Sequence, residues 1–358
     1  MLTLLFFALL LCFFLCSPRL KAEMLPDGAY ITRERTCMIN GFFIWFVFIR
    51  HMGDYFPSGV PSYDYVVYKL LMFLFQCVVA TFLFYSGFGL MSSIRGRNGY
   101  GKELMIKRFP TLWLYLVFAI TVFLGVQAYY GVTYSVEHIL QSYIAWKGVG
   151  NSVWYIGITL ISYLIIALSC GLFFRKGEKA VAAIATLFFM LLVYVMYCIK
   201  GPLSHWYNTF LCIPAGMWFC LYRKEVERCI KFLRVPAWVC GAVLIPFSLI
   251  IYYYLFHPWP CLHNIAAVLF ALGVTLVFSC IALKKIPSFL CWSGGPAIFF
   301  IYIFQRVPMI IGFKEGWAIE YPFAYQLFCV FITLLIAWGC SKSLPKLAQW
   351  LFVTSHHK

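Results

Sequence analysis

Charge is what this sequence has least of. Only 11% of its 358 residues are Asp, Glu, Lys or Arg, and just 12 are acidic. Soluble domains carry roughly 25% charged residues, and disordered chains are poor in apolar ones, so neither class fits. No HExxH, phosphate-binding Walker loop, dinucleotide fingerprint or GxSxG elbow occurs. Metalloprotease, P-loop ATPase, Rossmann and α/β-hydrolase chemistry are therefore unsupported. The 15 cysteines include no CxxC pair and sit mostly inside apolar runs, as Cys77, Cys170, Cys280 and Cys329 do, so they read as small apolar fillers. Cys198 and Cys261 fall near one membrane face and could pair, although the apolar-filler reading covers them too. The histidines lack close metal spacing, and no metal site is expected. Internal repeats, soluble domains and low-complexity tracts are also missing.

What is abundant is apolar surface: 63% of residues are hydrophobic and the mean hydropathy is +0.87. The expected fold is all-α, a polytopic transmembrane helical bundle. Apolar stretches long enough to span a bilayer run over about 1–17, 38–53, 65–91, 109–130, 153–173, 180–198, 205–222, 235–256, 262–283, 295–312 and 321–341. Residues 1–17 have no basic start and no clear cleavage site, so they are read as a retained helix. The domain reading is an N-terminal helix and cytoplasmic linker (1–29), a membrane domain (30–345) and a short cytoplasmic tail (346–358).

The net charge of +16 would suggest nucleic acid in a soluble protein, but here it is distributed by topology. The alternate loops 18–37, 92–108, 174–179, 223–234, 284–285 and the segment after 341 hold 22 of the 28 Lys and Arg residues. The opposite loops hold Lys69, Lys147, Lys200 and Lys314, while Arg50 and Arg306 sit in spans. The positive-inside rule makes the first set cytoplasmic, with the N-terminus outside and the C-terminus inside. No folded basic domain remains to bind nucleic acid. His51, His138, His205, His257 and His263 then fall at or near the outer face.

One helix, 36–54, carries an unusual load. Arg50 and His51 sit side by side near its end, with Asp54 at helical reach of both. Ionisable groups inside a membrane are costly and usually functional. Asn40 lies close to three turns before His51 and shares its face. The plainer reading is an interfacial Arg–Asp pair marking where the helix leaves the lipid.

The run N-GFFIWFVFIR-H resembles the first core helix of the acyltransferase-3 family, integral membrane proteins that O-acylate surface glycans and lipids from acyl-CoA. The family pattern is a basic residue, ten positions and a histidine; His51 occupies the histidine, and Asn40 stands where Arg or Lys is usual. FLFYSGFGLMSSIRGRNGYGKELMIKRFPTLW is similar to the family's aromatic helix end and basic loop, closing here on the shorter Lys107-Arg108-Phe109-Pro110. NSVWYIGITLISYL resembles a third element, without the glutamate many members carry there. SHWYNTFLCIPAGMWF is similar to a segment of one subgroup. GGPAIFFIYIFQRVPMIIG resembles the late helix, with Gln305 in place of its histidine.

The resemblance implies ten core helices preceded by one extra, in an inner or cytoplasmic membrane. Acyl-CoA, most often acetyl-CoA, would be the co-substrate, with no bound cofactor, and the acceptor a hydroxyl of an exported saccharide or lipid-linked glycan. A neutral imidazole near its pKa suits the removal of a hydroxyl proton, which assigns His51 as general base with Asp54 orienting it. Arg306 or Arg50 would stabilise the oxyanion. Arg95, Arg97, Lys107 and Arg108, with Ser86 beside them, suit the phosphates of coenzyme A or anionic lipid headgroups equally. Asn40, Tyr85, Trp154, Tyr155, Tyr163, His205, Trp206, Asn208 and Gln305 are the candidate acceptor contacts. Two other classes stay open: a transporter or flippase for a glycan or lipid precursor, and a silent assembly partner of an envelope glycan system.

Overall fold

The computed structural model describes residues 1–16, 18–57, 59–74, 76–201, 205–254 and 262–352. His257 and Cys261, and with the latter the Cys198–Cys261 pairing, lie outside the described residues.

The first helices are α1 (Leu2–Phe14), α2 (Arg33–Gly53), α3 (Ser62–Leu74), α4 (Cys77–Gly96), α5 (Tyr100–Glu103) and α6 (Phe109–Tyr129). Then follow α7 (Val136–Tyr143), α8 (Trp154–Phe173), α9 (Glu178–Lys200), α10 (Cys212–Leu233), α11 (Ala237–Tyr254) and α12 (Leu262–Ser279). The chain closes with α13 (Ser288–Ser293), α14 (Ile298–Phe304), α15 (Arg306–Lys314), α16 (Trp317–Glu320) and α17 (Pro322–Phe352). Among the described residues, eight helical segments are long and apolar enough to cross a membrane. The all-α polytopic bundle is thus the observed architecture.

Four of the expected spans take another form. The first is a 13-residue helix, about 20 Å long and short of a ~30 Å hydrocarbon core. The stretch 65–91 divides into α3 and α4, and 205–222 becomes α10, which starts at Cys212 and runs on into charged residues. The stretch 295–312 breaks at Gln305 into α14 and α15. Pro308 explains that break, because it has no N–H for the Phe304 carbonyl and its ring clashes with that carbonyl.

Helix α2 lies at the centre. Thr32 caps it by accepting from the Arg35 amide at 3.4 Å, and Glu34 in the first turn suits the helix dipole. Its middle, including Ile44, Trp45, Phe48 and Ile49, is fully buried. Close packing around it depends on glycine. A Cβ at Gly294 would lie 1.9 Å from the Cys37 carbonyl oxygen, so α13 rests directly on the α2 backbone. Helices α4 and α10 meet the same way: a Cβ at Gly87 would fall 1.9 Å from Ile213 O, and one at Gly216 1.9 Å from Phe84 O.

The loops segregate by the parity that the charge pattern set. At one end, β1 (Arg19–Leu20) pairs antiparallel with β2 (Ile281–Ala282), and Arg35 Nη2 donates to Phe278 O and Ile281 O at 3.0 and 2.5 Å. Tyr30 donates to Glu227 at 2.8 Å, and Arg95 pairs with Glu178 at 2.9 Å. All of these join the Lys/Arg-rich loops to one another. At the other end Tyr130 donates to Glu315 at 2.7 Å, and Trp146 packs at a tilt against Trp206.

Candidate active site

The C-terminal turn of α2 brings Arg50, His51 and Asp54 to this second end, and the break at Gln305 points Arg306, the first residue of α15, at them. Asp54 is held by a close ion pair with Arg50; it also stands 3.6 Å from His51 Nδ1 and 3.9 Å from Arg306 Nη2. Partial burial alone would raise the Asp54 carboxyl, but its contacts with His51 and Arg50 outweigh this and hold it below the usual carboxylate range. The shortest contact at His51 itself is from Arg306, whose Nη2 lies 2.6 Å from Nδ1. Guanidinium has no acceptor, so Nδ1 must present its lone pair, and the ring proton sits on Nε2.

These four residues line a cavity of about 440 Å³. Its wall continues through Gln76 just before α4, Val78 and Val79 of α4, the loop before α8 (Trp146, Gly148, Asn151, Ser152, Val153), Trp154, His205, Trp206 and Tyr302. That loop is tightly specified. Ala145 adopts φ 60°, a left-handed conformation rare outside glycine, and it sits immediately before Trp146. Gly150 has φ 106°, and a Cβ there would lie 2.7 Å from Gln127 Nε2. Gln127 in turn donates to Val149 O at 3.2 Å, and Asn151 Oδ1 accepts from the Val149 amide at 3.1 Å. His205, half-wrapped by Trp154 and Trp206, is pushed below its ordinary pKa by desolvation and by the charges of Lys200 and Arg306.

A second, smaller cavity of about 130 Å³ adjoins the first across Tyr302, which lines both; Ser86, Tyr155 and Tyr163 are on its wall. A third of about 300 Å³, sharing Leu112, Tyr163 and Phe299 with the second, opens beside Lys107 and Arg108. Those two cations are set on a π-helical turn, Leu104–Arg108, the kind of irregularity that often marks functional sites. The series runs from the basic end of the bundle to His51.

Not every expected residue joins it. Arg95 and Arg97 are engaged by Glu178 and Glu103, the latter at 3.0 Å. Tyr85 is buried and accepts from Thr275 at 3.3 Å. Asn208 is one step behind the wall, donating to Gln76 at 3.3 Å. Gln305 is fully buried and donates to Tyr302 O at 2.9 Å. Asn40 lines none of these cavities; it packs where α13 meets α2. Conversely, Trp146 and Tyr302 are wall residues that sequence reasoning passed over. Trp146 lies in a short aromatic run, YIAW, of a kind common at membrane interfaces, and Tyr302 lies in the late-helix motif, whose departure is at Gln305.

No group of three metal-ligating side chains occurs among the described residues. The cluster of Arg50, His51, Asp54 and Arg306 gathers at the end of α2, a helix long and apolar enough to cross a membrane. The profile of a family described as an acyltransferase domain matches residues 39–342. No characterised protein and no solved structure matches the chain significantly. The match spans most of the chain and contains every residue of the cluster, and it establishes that this protein belongs to the acyltransferase-3 family of membrane acyltransferases.

Proposed function

We propose that the protein moves a short acyl group, acetyl by preference, from acyl-CoA to a saccharide hydroxyl, with His51 as general base. The observation that supports this best is the series of adjoining cavities between the Lys107–Arg108 pair and His51. Phosphates of coenzyme A would be held by Lys107 and Arg108 through charge-assisted hydrogen bonds. The middle cavity, about 130 Å³, has room for a short chain. The cavity around His51, walled by three tryptophans, would take the acceptor, because aromatic faces offer large rigid contact area. By the positive-inside rule the donor enters from the cytoplasm and the acceptor binds at the outer end.

In the reaction the acceptor oxygen attacks the thioester carbonyl while its proton passes to His51 Nε2. For that nitrogen to be free, the ring proton must move to Nδ1, which requires Arg306 to leave Nδ1 for Asp54, already 3.9 Å away. Nδ1–H then faces Asp54. The tetrahedral oxyanion is met by Arg306 or by the hydroxyl of Tyr302, both residues of the cavity wall. Collapse breaks the carbon–sulfur bond, and His51 returns the proton to the thiolate, giving ester and free coenzyme A.

Incubating the purified protein with acetyl-labelled acetyl-CoA tests the donor assignment. Release of coenzyme A or transfer of label above a protein-free control is the expected result. Complete inertness toward acetyl-CoA, with binding of a glycan or lipid precursor retained, would leave the transport reading in its place.

A further inference from the structure

The cavity around His51 holds more positive charge than the reaction requires. Arg50 and Arg306 stand on its wall against a single carboxylate, Asp54. The Nε atoms of both arginines are buried without a hydrogen-bond partner among the described residues. A third cation touches two aromatic residues of that wall. Lys200, the last residue of α9, places Nζ 3.8 Å from the ring centroid of Trp146 and 4.6 Å from that of Trp206. Those two rings both line the cavity, with centroids 5.7 Å apart. No ion pair to Lys200 is found among the described residues.

Each of these cations raises the energy of the others at reduced dielectric, and a partly buried cation without an anion is costly. One guanidinium has a use in the chemistry, and one is matched by Asp54. Lys200 has neither role, since it is held on the tryptophan pair away from the His51–Asp54 contacts. A neutral sugar would be served by aromatic faces and amide groups alone; it gives no return for a lysine fixed against them.

We infer that the acceptor is an acidic saccharide, whose ring lies against Trp146 and Trp206 and whose anionic group, a carboxylate or a phosphate, is neutralised by Lys200. This rests on the cavity's being the acceptor site of the transfer reaction. At about 440 Å³ it is within the range of small-molecule sites and is large enough for a sugar unit together with its charged substituent.

Tetragalacturonate and its fully methyl-esterified form share shape and hydroxyls and differ in charge, which makes them suitable probes. Binding to the purified protein is read by tryptophan fluorescence. The acid is expected to bind at least about tenfold more tightly than the ester, with the difference shrinking as salt is raised to about 0.5 M. Lys200→Met should bring the acid-to-ester ratio close to one, and Lys200→Arg should restore it. Glucose 1-phosphate distinguishes the two anions: Lys200-dependent binding of this probe alone would support the inference with phosphate as the group. Equal affinity for acid and ester with no phosphate binding, a ratio indifferent to Lys200→Met, or no binding of any probe would overturn it. Consumption of acetyl-CoA without saccharide is measured in parallel. A protein inert in that assay that still prefers the acid loses the transfer reading but keeps the anionic site; an active one that ignores charge does the reverse.

Discussion

Arg306 Nη2 lies 2.6 Å from His51 Nδ1, so two residues 255 positions apart in sequence fix each other's chemistry. The guanidinium determines which ring nitrogen carries the proton, and the ring gives a half-buried cation one of its partners. Asp54 is near enough to both, at 3.6 Å and 3.9 Å, to take either one. In the proposed mechanism this closeness lets Arg306 pass to Asp54, which would free His51 to act as the base.

Replacement of Arg306 separates its two roles. Arg306→Ala removes both the hold on Nδ1 and a cation for the oxyanion, and is expected to lower kcat by about 10²–10³-fold, the usual loss for one oxyanion donor. Arg306→Lys keeps the charge but not the fork that reaches His51 and Asp54 together, so its loss should be smaller. Steady-state kinetics with acetyl-CoA on protein of checked abundance decide this; equal activity of Arg306→Ala and wild type would remove Arg306 from the mechanism.

Asp54→Asn leaves the geometry nearly unchanged while removing the carboxylate that would receive Arg306 and then pair with Nδ1–H. The expected outcome is a lower kcat with little change in either KM, and a smaller loss than that of removing His51. A rise confined to KM would instead make Asp54 a binding group.

The donor end has its own test. Neutralising Lys107 and Arg108 together should raise the KM for acetyl-CoA well above its wild-type value while leaving the acceptor KM in place, because each charge-assisted contact to phosphate contributes about 1.5–3 kcal/mol. Arg95 and Arg97 are already paired with Glu178 and Glu103, so their neutralisation should affect the donor KM less. An unchanged donor KM in the Lys107/Arg108 double variant would assign that pair to lipid headgroups.

Much of this was legible in the sequence because the membrane simplifies the reading. Hydropathy marked the helices, and alternation of Lys and Arg sorted the loops into the two sets that the fold gathers at its two ends. Arg50, His51 and Asp54 could be grouped because helical spacing alone brings them together. Arg306 was suspect as an intramembrane cation, but nothing local links residue 306 to residue 51; only the Pro308-induced break after α14 aims it there. Tyr302 and Trp146 were illegible for a different reason. Aromatics are common at membrane interfaces, and what sets these two apart is a junction between cavities and a left-handed Ala145, neither visible in composition. Asn40 shows the converse. Periodicity put it on the His51 face, yet α13 covers that part of the face.

Packing gives a further expectation. Gly216→Leu would drive a side chain into the Phe84 carbonyl, which lies only 1.9 Å from a Cβ at that position. Because neither backbone can yield without moving α4 or α10, the variant should show reduced abundance in membranes and a lower unfolding temperature in detergent. Wild-type abundance and stability would mean that the two helices are not in backbone contact there.

The most direct measurement is the rate of acetyl transfer from labelled acetyl-CoA by purified His51→Ala protein, matched with wild type for yield and thermal stability. If His51 is the general base, the rate falls by about 10²–10⁴-fold, the contribution typical of a positioned acid–base group, while acetyl-CoA still binds. A His51→Ala protein that transfers acetyl at the wild-type rate would contradict that assignment and the mechanism built on it.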